Sequence, residues 1–82
     1  MHHELKLWPR FFQAKAAGTK AWEIRSNRDR NFQVGDTVTF REWDPDALAF
    51  TGPVSGPHRI TFLMTADDTR MIQRGCCVFS HQ

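Results

Sequence analysis

The segment 18–25 constrains the fold of this chain most, because it joins a turn residue to a densely charged extended run. It reads Gly-Thr-Lys-Ala-Trp-Glu-Ile-Arg. Side chains of an extended segment alternate between two faces, so Glu23 and Arg25 share one face. Trp22 and Ile24 take the other face. The pattern predicts either a binding site at the mouth of a strand or a plain ion pair.

A helix is predicted directly before this segment. Pro9 stands where the helix would begin, and proline is tolerated in the first helical turn. Phe12 and Ala16 lie four residues apart and therefore share one helical face. Gly18 is placed to end the helix as a left-handed cap. A strand from about Lys20 to Arg25 is expected after this helix, with Lys20 at the point where the chain turns into it.

The segment 37–43 is the most strand-like part of the chain, because it is rich in β-branched and aromatic residues. Val38 and Phe40 share one of its faces, and a turn at 34–36 precedes it. A further strand at 59–64 is expected to place Ile60, Phe62 and Met64 on one face. The remaining predicted strands lie at 3–8 and 76–80. A turn is expected to open at 44–46 and close at 51–53, and a short second helix to run from Asp67 or Asp68 to Gln73. This order predicts a small α+β fold or a partly closed barrel.

Length and composition indicate one domain spanning residues 1–82. A chain of this size buries only about 60% of its unfolded surface, so its seven Phe and three Trp are expected to dominate the core. An apolar run of about 18 residues, as a membrane-spanning helix needs, does not occur. The N-terminus lacks the apolar stretch of a signal peptide, so a cytoplasmic protein without a membrane partner is expected.

Positive charge is concentrated in the first third of the chain. Residues 1–30 carry seven cations and three anions, whereas the whole chain has a net charge of +2. Eight of the eleven cations are arginine. Because the guanidinium group pairs with two phosphate oxygens at once, this composition favours a phosphate-bearing partner.

Cysteine and histidine spacing predicts neither a disulfide nor a bound metal or cofactor. Cys76 and Cys77 are adjacent, and neighbours on a strand point to opposite faces. Both are therefore expected to be free, buried or half-buried thiols. The four histidines add no C-x-x-C or H-x-x-x-H pairing of the kind that zinc sites use.

Segment 18–25 matches the G-x-K-x-x-E-x-R signature of ASCH domains, which have the PUA-like fold. Segments 3–6, 32–36 and 41–44 and the Pro9-led helix also resemble a small stand-alone ASCH-related branch of unknown function, found in bacteria and their phages. The resemblance covers nearly the whole chain. It implies a small mixed β-barrel of about five strands with one main N-terminal helix. It also implies a cleft between barrel and helix, lined by the signature residues Lys20, Glu23 and Arg25.

ASCH domains are nucleic-acid or nucleotide-related modules, so the resemblance implies RNA, single-stranded nucleic acid or a nucleotide as the partner. The predicted ligand-binding residues are Lys6, Lys20, Trp22, Glu23, Arg25, Arg41 and Trp43. The cations would contact phosphates or base edges, and the carboxylate would orient them or accept from an exocyclic amine. A tryptophan would stack on a base. The core is the alternative place for both tryptophans, and the favoured one for Trp22.

Two other functions stay open at this point. Some ASCH relatives hydrolyse the amide of an acylated cytidine, using a lysine, a threonine three residues later and a distant glutamate. Lys20 occupies the lysine position, but Glu23 stands at the threonine position. An enzyme of this kind would be a small amidohydrolase of N-acylated cytidines with Lys20 and Glu23 as catalytic groups and Glu42 as a candidate distant carboxylate. The third hypothesis is a phage-encoded inhibitor that binds a host protein. Binding of a nucleic acid or nucleotide is preferred.

Overall fold

The chain folds into one five-stranded mixed sheet with a single short helix. A computed structural model describes all 82 residues, Met1 to Gln82. Its elements are β1 (His2–Leu7), α1 (Pro9–Ala16), β2 (Trp22–Ser26), β3 (Thr37–Asp44), β4 (Ala49–Thr65) and β5 (Cys76–His81). The strand order is β1-β3-β4-β5-β2, in which β1 and β3 are parallel and the other neighbours antiparallel. The predicted α+β class is confirmed.

The predicted helix forms with the boundaries that its proline and glycine favour. Pro9 occupies the first turn of α1, and Gly18 has a φ of +79° just beyond its C-terminal cap. Phe12 is buried against the sheet, as its face predicts. With 8 residues, α1 is too short to cross a membrane.

The core lies on one face of the sheet, where alternate strand residues are buried. Its members are Leu5, Leu7, Phe12, Phe32, Val38, Phe40, Ile60, Cys77 and Phe79. The predicted pairing of Val38 with Phe40 on one face of β3 is confirmed. Cys77 points into this core while Cys76 is half-buried, and both thiols are free.

The sheet is not closed, so the small β-barrel that the resemblance implied is not confirmed. β1 and β2 are its two edge strands, and no backbone ladder joins them. Instead, the Arg25 guanidinium Nη2 donates a hydrogen bond to the Lys6 carbonyl at 2.9 Å. A single side chain therefore bridges the two edges and leaves a cleft beside it.

Strand β4 is much longer than predicted. The predicted turn opens at 44–46 and closes only at 51–53, and the predicted strand covers 59–64. Instead, β4 runs from Ala49 to Thr65 and pairs Phe50 with Trp43. Register shifts occur along β3 between Val38 and Phe40 and again between Arg41 and Trp43. Proline and glycine are compatible with irregular strand positions of this kind, which also bend the sheet.

The same irregularity explains why Phe62 is not in phase with Ile60. A register shift lies between these two residues, so Ile60 pairs with the inward His81 whereas Phe62 pairs with the outward Ser80. As a result, the Phe62 side chain is exposed. A bulge changes the face of every residue that follows it, which periodicity alone does not reveal.

The predicted second helix between Asp67 and Gln73 is wrong. Residues 66–75 form successive turns instead. The Thr65 amide donates to Asp68 Oδ2 at 2.9 Å, and the Met71 amide contacts Thr69 Oγ1 at 3.3 Å. Side chains that bond nearby backbone groups compete with helix formation, and a segment this short does not nucleate one unaided.

Candidate functional site

A cleft of about 370 Å³ opens between the edge strands β1 and β2 and helix α1. This volume lies within the ordinary range for small-ligand sites. The cleft is lined by Lys6, Leu7, Trp8, Phe11, Lys20, Trp22, Glu23, Ile24 and Arg25. Five of the nine are hydrophobic and three are cationic. It therefore offers apolar walls together with concentrated positive charge.

Strand β2 turns its charged face inward and its apolar face outward. Glu23 is only 2% exposed, whereas Trp22 is 48% and Ile24 61% exposed. The predicted alternation is confirmed, but the favoured interpretation of Trp22 as a core residue is wrong. A carboxylate is normally exposed and a tryptophan largely buried. Because β2 shows the reverse, hydrophobic packing does not determine which of its faces points inward.

The Glu23 carboxylate is surrounded by three cations. Lys15 Nζ lies 3.1 Å from Oε2, Lys20 Nζ also contacts Oε2, and Arg25 Nη2 lies 3.0 Å from Oε1. Arg25 Nε donates to Oε1 as well, at 3.1 Å. With three cations around one carboxylate, the cluster carries excess positive charge beside the cleft.

Lys15 is the part of this cluster that the sequence reasoning missed. Its ammonium lies 3.1 Å from Glu23 Oε2, 3.1 Å from the Lys20 carbonyl and 2.6 Å from His81 Nε2. A lysine ammonium has three protons to donate, so all are used. The only available signal was its position three residues after Phe12 on the buried helical face. Lys15 therefore holds Glu23 in place and does not line the cleft.

Lys20 and Arg25 retain unused donors. Lys20 donates to Glu23 and to the Trp22 carbonyl, the latter at 3.0 Å, which leaves one of its three N–H groups without a protein partner. Arg25 uses Nε and Nη2 and leaves Nη1 unpaired. Their side chains are 12% and 24% exposed. Both Glu23 carboxylate oxygens already accept hydrogen bonds from the surrounding cations, so the free N–H groups of Lys20 and Arg25 are donors. A complementary ligand would supply acceptors such as phosphate oxygens.

Electrostatics keep the Glu23 carboxylate ionised. Burial alone would raise its pKa, but the hydrogen bond from Lys20 and the charges of Lys15 and Arg25 outweigh burial and lower the pKa below its ordinary value. Burial lowers the pKa of Lys15, and the Glu23 carboxylate offsets only part of that effect. An ionised carboxylate with saturated oxygens is a positioning group and is poorly suited to general acid or base catalysis.

A family profile described as "Domain of unknown function (DUF3850)" matches residues 2–81. The chain belongs to this family. No curated protein matches it. In this DUF3850 member, the match covers every residue of the cleft and of the Glu23 cluster.

Five of the seven predicted ligand-binding residues of this DUF3850 protein line the cleft, and two do not. Lys6, Lys20, Trp22, Glu23 and Arg25 are brought together. Arg41 and Trp43 lie outside the cleft, on the outer face of β3. Glu42 accepts a hydrogen bond from Thr51 Oγ1 at 2.5 Å and is not part of the cleft lining. The catalytic roles predicted for Lys20 and Glu23 stay predictions.

Trp8 and Phe11 are cleft residues that sequence reasoning did not assign. Trp8 lies between β1 and α1, is 55% exposed, and stacks with Phe11 at a centroid distance of 6.3 Å. Its position directly before the helix-starting Pro9 was the available signal. No group of three or more His, Cys, Asp or Glu side chains forms a candidate metal site.

Acidification is expected to destabilise the DUF3850 fold from about pH 6.5 downward. Burial lowers the pKa of His81 from its ordinary 6.5, and the Lys15 charge lowers it further. The unfolded state then binds a proton that the folded state does not, so stability is lost as pH falls through this range. Glu23 acts in the same direction below its ordinary 4.5. Urea unfolding midpoints measured between pH 8 and pH 4 test this expectation.

His81→Gln is the informative variant for this prediction. Glutamine can accept a hydrogen bond from Lys15 but does not titrate, so the loss of stability between pH 6.5 and pH 5 should shrink, while the loss below 4.5 remains. An unchanged urea unfolding midpoint from pH 8 to pH 5 in the wild-type protein would contradict the assignment of this stability loss to His81.

Proposed function

We propose that this DUF3850 protein binds a nucleotide, either free or as an unpaired position of single-stranded RNA. The observation that carries the proposal is that two exposed tryptophans, Trp8 and Trp22, line the same cleft as the unused donors of Lys20 and Arg25. A nucleotide combines a flat aromatic base with an acceptor-rich phosphate. Aromatic side chains stack on bases without regard to sequence, and lysine or arginine contacts the phosphate.

The proposal includes a relationship to ASCH domains, with an opened version of the PUA-like barrel. Its support is that the signature residues Lys20, Glu23 and Arg25 all line one cleft beside the helix, as the resemblance implies. Glu23 has a different role from the one expected from the sequence. Because its oxygens are occupied by three cations, it orients those cations and does not read an exocyclic amine.

Binding is preferred to hydrolysis of acylated cytidines for a chemical reason. A lysine nucleophile must lose its proton, and a neighbouring ionised carboxylate opposes that loss. Lys20 donates directly to Glu23. Neither the hydroxyl of the hydrolytic relatives nor a distant carboxylate is present among the cleft residues.

Substitution of the cleft should weaken nucleotide binding while the fold survives. Trp22→Ala removes one stacking surface, worth about 1–3 kcal/mol, and should weaken binding about 5- to 150-fold. Lys20→Met removes a charge-assisted hydrogen bond of about 1.5–3 kcal/mol, for a loss of about 10- to 150-fold. Quenching of tryptophan fluorescence by the four ribonucleoside monophosphates measures the affinities.

Arg30→Met is the matched control, because Arg30 is an exposed cation outside the cleft. It should leave the affinity within about twofold of wild type. Thermal unfolding of each variant separates lost binding from lost structure. Absence of salt-sensitive binding of any monophosphate or short RNA by the wild-type protein would show that the proposed function is wrong.

A further inference from the structure

We propose that Lys6 and Arg41 form a second phosphate subsite next to the cleft, so that the ligand is a single-stranded nucleic acid of at least two nucleotides. This inference rests on the proposed function of the cleft. The second subsite would give a role to Lys6, Arg41 and Trp43. Only Lys6 lines the cleft, whereas Arg41 and Trp43 lie outside it.

Aromatic rings hold both cations in position. Lys6 Nζ lies 3.8 Å from the centroid of the Trp43 ring, and Arg41 Cζ lies 3.8 Å from that of Phe50. The two rings meet edge to face with centroids 4.9 Å apart. Cations placed over ring faces are attracted without being neutralised. Each cation occupies one face of its ring, as Lys20 Nζ does 4.8 Å from the Trp22 ring centroid. The rings therefore hold the cations in place while their charge stays available for a phosphate.

Neither cation has a protein acceptor. The five ion pairs of the structure involve Asp36 or Glu23, and none includes Lys6 or Arg41. No protein hydrogen bond uses either charged group. Three ammonium and five guanidinium N–H groups are therefore free for a ligand. The contrast with Lys15, whose protons are all used inside the protein, distinguishes a binding cation from a positioning one.

The subsite adjoins the cleft. Lys6 of β1 and Arg41 of β3 are register partners on neighbouring parallel strands, which lie about 4.8 Å apart. Lys6 also lines the cleft, and its carbonyl accepts the Arg25 hydrogen bond at 2.9 Å. Two groups of donors, Lys20 with Arg25 and Lys6 with Arg41, thus follow one another across the edge of β1. In the proposed complex, each group contacts one of two consecutive phosphates of a single strand.

The experiment compares uridine 5′-monophosphate with the hexanucleotide U6. We expect U6 to bind the wild-type protein at least tenfold more tightly, with a steeper dependence of log K on log salt. Arg41→Met should remove most of that gain and reduce the salt slope by about 0.7 for each phosphate that the protein no longer neutralises. Arg41→Lys keeps the charge and should retain most of the slope, which excludes a folding defect as the cause. Arg70→Met, at an exposed cation outside the cleft, should change neither quantity.

Each outcome decides between the two proposals. If the monophosphate binds but U6 binds no more tightly, or Arg41→Met behaves like Arg70→Met, the second subsite is wrong and the cleft proposal stands. Equal affinity for hexaglutamate would also overturn the subsite, because any acidic polymer would then suffice. If neither nucleotide ligand binds, the proposed function and this inference both fail.

Discussion

Replacing Glu23 with glutamine lowers the free energy of unfolding by an expected 3–5 kcal/mol or so, the usual effect of removing one partner of a buried ion pair. Lys15, Lys20 and Arg25 lose their shared counter-charge, and Lys15 remains buried. In a domain of this size each 1 kcal/mol corresponds to roughly 4–8 °C in Tm, so Tm should fall by about 12–40 °C. Thermal and urea unfolding followed by circular dichroism measure the change.

Glu4→Gln is the control for this substitution, because Glu4 is an exposed carboxylate of β1 without an ion pair. Its effect should stay within about 0.5 kcal/mol. Combining Glu23→Gln with Lys15→Met should cost less than the sum of the single changes, since the second substitution removes the stranded buried charge. Strict additivity, or equal effects of the Glu4 and Glu23 substitutions, would show that the cluster is not coupled in this way.

Gly56→Ala is the second substitution with a large expected effect on stability. Gly56 has a φ of +127°, and a Cβ at this position would lie 2.8 Å from the Val38 carbonyl oxygen and 3.1 Å from Thr39 Cα. Both neighbours are backbone atoms of β3, so β4 must move away for the methyl group to fit. Backbone strain and overpacking together predict a loss of roughly 2–6 kcal/mol. Urea unfolding measures this loss.

Gly52→Ala separates the two contributions. Gly52 also lies on β4 with a positive φ, +111°, but a Cβ there would meet nothing within 4 Å. It should show only the conformational strain, about 1–3 kcal/mol. Equal losses at the two positions would contradict the steric argument.

Local sequence signals predicted the elements whose boundaries depend on local chemistry. Pro9 and Gly18 delimit α1, and the β-branched residues of β3 place Val38 and Phe40 in the core. The turns at 66–75 and the length of β4 were not predicted. They depend on side-chain hydrogen bonds and on register shifts between strands, which a periodic pattern does not encode.

The candidate site was predicted only in part, because local sequence patterns do not reveal contacts between distant segments. The spacing of Lys20, Glu23 and Arg25 along segment 18–25 identified three of its charged groups. Lys15 and His81 escaped notice because they are 66 residues apart in sequence and meet only in the folded chain. Arg41 and Trp43 were predicted to join the same site, but their position beside Lys6 and outside the cleft depends on how β1 and β3 pair.

Strand β2 shows most clearly what each level of structure determines. The sequence by itself determined that Glu23 and Arg25 share one face and that Trp22 and Ile24 share the other, because extended chains alternate. Only the tertiary structure decided which face is buried. Hydrophobicity alone would bury the tryptophan, but Lys15 from α1 supplies a counter-charge to the inward carboxylate, with Lys20 and Arg25 alongside. Burying a charge is tolerable only when such partners are present, and the exposed tryptophan is then left beside the cleft.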